Sequence, residues 1–208
     1  MITTISRNAV LLAAFAIVCT ASVATINLLT RPEIDMQQQR ALLKTLDQLI
    51  PKTSYDNDIF ASCFMVQDDQ LLGKGKVQPV FVATKNNLPV ALMIETSTFQ
   101  GYGGEIDLAV GINANGQLTG VQVLKHSETP GLGDKIQSNK SNWLQSFSGK
   151  EYQELYPKRW EVKKNGGEFD AFTGATITPR AVVLAVKDAL IYFSKNKQSL
   201  FNHPADCE

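Results

Sequence analysis

From Asn8 to Thr30 the chain carries no charged side chain, and Arg7 and Arg31 bracket the run. The apolar stretch Ala9 to Leu29 within it is long enough to cross a hydrocarbon core, which needs ~20 helical residues. A cleaved signal peptide is the competing reading, but its apolar region spans only about 7–15 residues and ends at a small-residue cleavage site. Length therefore favours a retained transmembrane helix over residues 9–29. Lipidation at Cys19 is excluded, because Ile17 and Val18 stand where a small residue would have to precede the cysteine. Arg7 lies before the span, whereas Arg31 is followed by Glu33 and Asp35, so the positive-inside tendency leaves residues 1–8 in the cytoplasm and the bulk of the chain outside.

The remainder has to form a domain of its own. Twenty Lys and Arg balance twenty Asp and Glu, which argues against a strongly basic nucleic-acid face, and 44% hydrophobic residues supply a core. Cys19, Cys63 and Cys207 lack metal-ligand spacing. Only the last two can meet in an oxidising compartment, and a disulfide or two free thiols fit the sequence equally well.

After the span, Ala41, Leu42, Leu43, Leu46, Leu49 and Ile50 form an apolar stripe at helical spacing that Pro51 stops. A membrane-proximal helix over residues 30–51 is expected, and polar Lys52 to Asn57 then leads into a domain over residues 52–208. Four β-branched stretches follow, Pro79 to Thr84, Pro89 to Thr96, Ile106 to Ile112 and Leu118 to Leu124. Asn115-Gly116 is a hairpin turn signal between the last two. The pattern predicts an α+β fold in which an antiparallel sheet packs with helices. A short helix is expected within Asn139 to Ser148 and a strand at Trp160 to Lys163. A buried helix is expected over Ala181 to Phe193, with Thr178 as its cap and Pro179 in its first turn.

Just ahead of that helix, Asp170-Ala-Phe-Thr-Gly-Ala-Thr-Ile-Thr-Pro gathers three hydroxyls and two small residues. A helix mouth offers unpaired N–H groups and the positive end of the macrodipole, so a phosphate near Thr176 is stabilised there. Gly174 and Ala175 leave the Thr176 hydroxyl approachable, and Asp170 adds a carboxylate that can hold a metal or accept a proton. Thr-Gly-Ala-Thr alone is more often a plain loop. The companion is Glu128-Thr-Pro-Gly-Leu-Gly133, directly after the hairpin, where two glycines let a backbone approach a flat ring. Its bland alternative is a rigid surface turn.

These residues resemble the FMN-binding domain family of ion-pumping respiratory complexes, whose motif Asp-x-x-(Ser/Thr)-Gly-Ala-(Thr/Ser) stands complete at Asp170, Thr173, Gly174, Ala175 and Thr176. The resemblance implies FMN joined by a phosphoester to Thr176, installed by a separate magnesium-dependent flavin transferase that uses FAD. It places Glu128, Thr129, Gly131, Leu132 and Gly133 beside the isoalloxazine ring. Lys163 and Lys164 read as a solvated charge pair. Two branches of the family share the anchor and both motifs, the Rnf/Rsx complexes and the sodium-pumping NADH:quinone reductases. Members of the second are usually longer, so size favours the first.

The function this implies is electron relay within a membrane-bound ferredoxin:NAD oxidoreductase-type complex of the inner membrane, with other subunits as partners and the soluble domain on the periplasmic side. Such a chain is a redox subunit rather than a stand-alone enzyme. Rival readings are a self-contained flavin reductase with His126 or Glu128 as acid, and a colourless anchored scaffold.

Overall fold

The computed structural model describes residues 2–207, so Met1 and Glu208, the outer ends of the expected first and last segments, lie outside the described residues. Helix α1 (Ile2–Leu49) runs without interruption through both stretches read from sequence as separate helices, with Pro32 inside it. Its segment Ser6–Ile34 has the length and apolarity to cross a membrane. Leu11, Leu12, Phe15, Val23 and Leu29 all stand exposed, as side chains meant for lipid do. The hydroxyls of Ser22, Thr25 and Thr30 donate back to the carbonyls of Val18, Ala21 and Ile26 at 2.8, 2.8 and 2.9 Å, so none faces lipid unpaired.

The chain divides into two compact units, Met1–Lys44 and Thr45–Glu208. Within the second, among the described residues, β1 (Cys63–Gln67), β2 (Val77–Lys85), β3 (Leu88–Gly101), β4 (Gly104–Asn113) and β5 (Leu118–His126) form one antiparallel meander in chain order. The expected sheet and α+β class are both present. One tight hairpin is not signalled by the sequence pattern: Asn86 and Asn87, at φ 51° and 60°, form the two-residue link between β2 and β3. Asn115-Gly116 does join β4 to β5, in a longer loop where Asn113 Oδ1 accepts from the amides of Asn115 and Gln117 at 2.9 and 3.0 Å.

Helix α2 (Ile177–Phe201) lays Val182, Val186, Ala189, Leu190 and Phe193 onto Leu92, Ile94, Leu108 and Val110 of the sheet, forming the main core. The opposite face receives the last turn of α1. Leu49 packs so closely there that a side-chain carbon on Gly111 would lie 3.0 Å from its Cβ.

Two expectations for the stretch before α2 need adjustment. The helix expected within Asn139 to Ser148 is a 3-10 helix, Trp143–Phe147. Trp160 to Lys163 is no strand, because Trp160 is 3% exposed and packs on Phe147 and Phe169, leaving one isolated bridge from Val162 to Phe169. Ring packing takes the side chains that a ladder would have used.

Both sheet edges are bonded along part of their length. Cys63 of β1 is bonded to Cys207, with Cα atoms 5.4 Å apart. The neighbouring Asp206 accepts from the Met65 amide at 2.7 Å and donates its own amide to the Cys63 carbonyl at 3.0 Å. On β5, Leu118 exchanges main-chain bonds with Gly149 and Lys150. Such bonds blunt an edge as a template for aggregation.

Candidate functional site

Three segments converge beside the start of α2: the β3–β4 turn carrying Tyr102, the loop from Glu128 to Gly133 after β5, and the approach from Asp170 to Thr176. They enclose a cleft of about 380 Å³ lined by Tyr102, Glu128, Thr129, Leu132, Gly133 and the run Gly174 to Thr178. That volume lies within the range of small-molecule sites, roughly 300–1,000 Å³. Tyr102, Leu132 and Ile177 keep 72%, 42% and 51% of their surface exposed around it, an apolar lip suited to a flat ring.

The hydroxyl roles at the helix start differ from the sequence expectation. Helix α2 begins at Ile177, so Thr176 occupies the cap position, in αR backbone geometry (φ −86°, ψ −21°) and without a capping hydrogen bond. Its exposed hydroxyl is not spent on the helix. Thr178, expected as the cap, is fully buried and donates to Glu128 Oε2 at 2.6 Å. Pro179 does sit in the first turn, where a missing N–H costs nothing.

Glu128 is 6% exposed, and its second oxygen accepts from the Gly103 amide at 3.0 Å. Its own amide donates to His126 Nδ1 at 3.0 Å. Space for the carboxylate depends on two glycines: a Cβ on Gly101 would lie 2.6 Å from Oε1, and one on Gly133 would lie 2.5 Å from Oε2.

Of the residues singled out by sequence, Glu128, Thr129, Leu132, Gly133, Gly174, Ala175 and Thr176 line the cleft, whereas Asp170, Thr173 and Gly131 do not. Asp170 pairs with Lys163 at 2.6 Å on the surface, and its main-chain carbonyl accepts from Trp143 Nε1 at 2.8 Å. Among the described residues no cluster of three or more His, Cys, Asp or Glu side chains suits a metal ion. Gly174 has φ +81°, which makes its place in the motif a matter of backbone conformation as well as access.

Tyr102, Ile177 and Thr178 were missed as cleft residues. Gly101-Tyr-Gly-Gly104 does read as a turn, but only the sheet topology brings its ring to a helix more than seventy positions away. Thr176 and Ile177 also line a second cleft, of about 220 Å³, shared with Gln100, Lys164, Asn165 and Arg180. Lys164 and Arg180 therefore line a cleft that adjoins Thr176, where cations complement an anion. Arg180 is also paired with Glu161 at 3.2 Å.

The unspent hydroxyl at a helix mouth, the glycine-walled apolar cleft and the adjacent cations fit a flavin mononucleotide. Comparison with known proteins points the same way. Residues 101–191 match the family model described as FMN-binding domain, and residues 1–49 match the one described as RnfG N-terminal region. A relative in Shewanella loihica, named as an ion-translocating oxidoreductase complex subunit, the one designated G, is 49% identical over 98% of this chain and 96% of its own length. The protein of that name in Vibrio cholerae is 48% identical over 100% of this chain and 99% of its own length. The one in Shewanella oneidensis is 46% identical over 97% and 95%.

Proposed function

The chain belongs to the RnfG family of ion-translocating oxidoreductase complex subunits, with its FMN-binding domain, and on that premise we propose that it relays electrons within such a complex using FMN held by a phosphoester on Thr176. The observation that carries the attachment site is the Thr176 hydroxyl, exposed at the mouth of α2 with no capping bond, on the wall of the apolar cleft. Attachment is a phosphoryl transfer catalysed by a flavin transferase. The Thr176 oxygen forms a bond to the FMN-side phosphorus of FAD, the anhydride bond breaks, AMP leaves, and the hydroxyl proton passes to the transferase or solvent.

Within this chain, the first amides of α2 together with Lys164 and Arg180 offset the phosphodiester charge. Tyr102, Leu132 and Ile177 would hold the ring against the cleft wall and limit water there. FMN, when bound, supplies reversible acceptance and donation of electrons, and the protein supplies position and electrostatics. The tether keeps the group at a high effective concentration through every cycle.

Relay is favoured over a self-contained reductase because both carboxylate oxygens of Glu128 are engaged inside the protein, which leaves it ill placed as an acid. The Cys63–Cys207 bond supports an oxidising, periplasmic location for the domain, anchored to the inner membrane by α1, with the remaining subunits of the complex as partners. The test is co-expression with a flavin transferase and mass measurement of the wild type and Thr176→Ala. The wild type should gain one FMN phosphoryl group and the alanine variant none. Absence of flavin from the wild type, or its presence on the variant, overturns the assignment, and a colourless wild type favours the scaffold reading.

A further inference from the structure

We infer that the buried hydrogen bond from Thr178 to Glu128 is a positioning latch, which sets the rotation of α2 so that Thr176 faces the cleft and holds the three cleft walls in register. The inference rests on the proposal that Thr176 carries FMN, and it concerns what prepares that residue.

Helix geometry supplies the first step. Thr176, Ile177 and Thr178 all border the cleft, Thr178 buried and Thr176 exposed, so fixing Thr178 against Glu128 sets the rotation at which the first turn of α2 presents Thr176. Thr178 is fixed inward: it is fully buried, and its single proton goes to Glu128 Oε2 at 2.6 Å. A hydrogen bond to a carboxylate is short and strong.

The second step is connectivity. The same carboxylate takes the Gly103 amide at 3.0 Å, next to Tyr102, and Glu128 itself opens the loop that carries Leu132. One side chain thus joins the turn, the loop and the helix. Glycines at 101 and 133 leave it room, since a Cβ at either position would come within 2.6 Å of a carboxylate oxygen. Losing the Thr178 donor strips one partner from a buried carboxylate, a costly state that the loop relieves by shifting. Glu128 acts through its neighbours in this scheme, so it is a positioning residue and not a catalytic one.

The experiment uses the full-length protein in detergent, with purified flavin transferase and FAD. The initial rate of flavin incorporation is read by in-gel fluorescence and mass, and the midpoint potential of the loaded protein is read by spectroelectrochemistry. Thr178→Ser keeps the donor and should stay within about twofold of wild type. Thr178→Val keeps the shape without the donor, and Glu128→Gln keeps only one acceptor oxygen. Each should slow incorporation by about tenfold or more, the scale of a lost bond to a charged group. The double variant should be slower than the worse single one by much less than the product of the two single effects, since both act on the same carboxylate.

The potential should move in Thr178→Val and not in Thr178→Ser, a shift that a general loss of stability does not produce. Wild-type rate and potential in Thr178→Val, or equal impairment in Thr178→Ser, overturns the latch. Should Thr178→Val fail to fold by circular dichroism, Glu128→Gln and Thr178→Ser decide the question on the same readouts. A wild type that takes no flavin overturns the Thr176 proposal itself and the latch with it, whereas defects confined to the variants leave that proposal standing.

Discussion

The indole N–H of Trp143 donates to the main-chain carbonyl of Asp170 at 2.8 Å, which fastens the start of the Thr176 loop to the 3-10 helix Trp143–Phe147. The Trp143 ring meets Phe147 and Phe172 edge-on, each at 5.2 Å, and the Ala175 amide closes back on the Phe172 carbonyl at 3.0 Å. The loop is therefore held by main-chain and ring contacts, while the Asp170 carboxylate is paired with Lys163 at the surface, where ion pairs contribute little. Trp143→Phe keeps most of the packing and loses the N–H bond, so stability should fall by about 1 kcal/mol. Asp170→Asn should leave the urea midpoint unchanged. Equal midpoints for wild type and Trp143→Phe would show that the indole bond contributes nothing.

The disulfide ties positions 144 residues apart and holds the tail against the β1 edge. Replacing both Cys63 and Cys207 by serine should cost about 3–5 kcal/mol in urea unfolding, the range expected for releasing a long loop. The Met65 amide, which donates to Asp206, should lose its protection from hydrogen exchange at the same time. Alkylation of native membranes without reductant should leave both cysteines unlabelled. A double-serine protein with the wild-type midpoint would refute the stabilising role.

An uncharged run made the apolar span readable, and periodicity made strands β2 to β5 and α2 readable, because each of these elements buries a face whose spacing is written locally. Strand β1 was not readable: Cys63 to Gln67 is short and becomes a strand only by pairing with β2 and receiving the tail. Trp160 to Lys163 carried strand-like residues, and a distant aromatic cluster claimed them. At the candidate site, the place of Thr176 on the cleft wall was legible from the motif and the helix mouth. Thr178 was misassigned because a threonine before a proline also reads as a cap, and nothing local announces a carboxylate fifty positions upstream. Tyr102 shows the same limit, since sheet topology and not spacing brings it to the cleft.

Glu95 on β3 lies opposite Ala109 of β4, where burial first and the like charge of Asp107 second push its carboxyl up to about 7 from an ordinary 4.5. The folded protein then keeps this proton over a range where the unfolded chain has released it. Bound protons in the folded state exceed those in the unfolded state between about pH 4.5 and 7, so stability falls as pH rises through that window and levels off above it. The loss at pH 8 amounts to up to about 3 kcal/mol. Glu95→Gln should remove the slope and be the more stable form above pH 7, as urea midpoints across pH 4.5–8 would reveal. Parallel pH profiles for the two proteins would rule out this carboxyl as the source.

Gly174 separates two explanations of the motif glycine. An access argument says that any side chain there crowds the route to Thr176, so a smaller substituent is better tolerated. The backbone says otherwise: φ is +81°, and an added Cβ would meet only Leu132 Cδ2, at an ordinary 3.5 Å. Left-handed geometry costs most residues about 1–2 kcal/mol, and asparagine less, because its short polar side chain tolerates that region. The expected order of flavin incorporation is therefore glycine first, then Gly174→Asn, then Gly174→Ala, with Gly174→Val last. Thermal midpoints of the flavin-free proteins should follow the same order, since the strain belongs to the polypeptide. If alanine outperforms the bulkier asparagine on both measures, access governs this position and backbone strain does not.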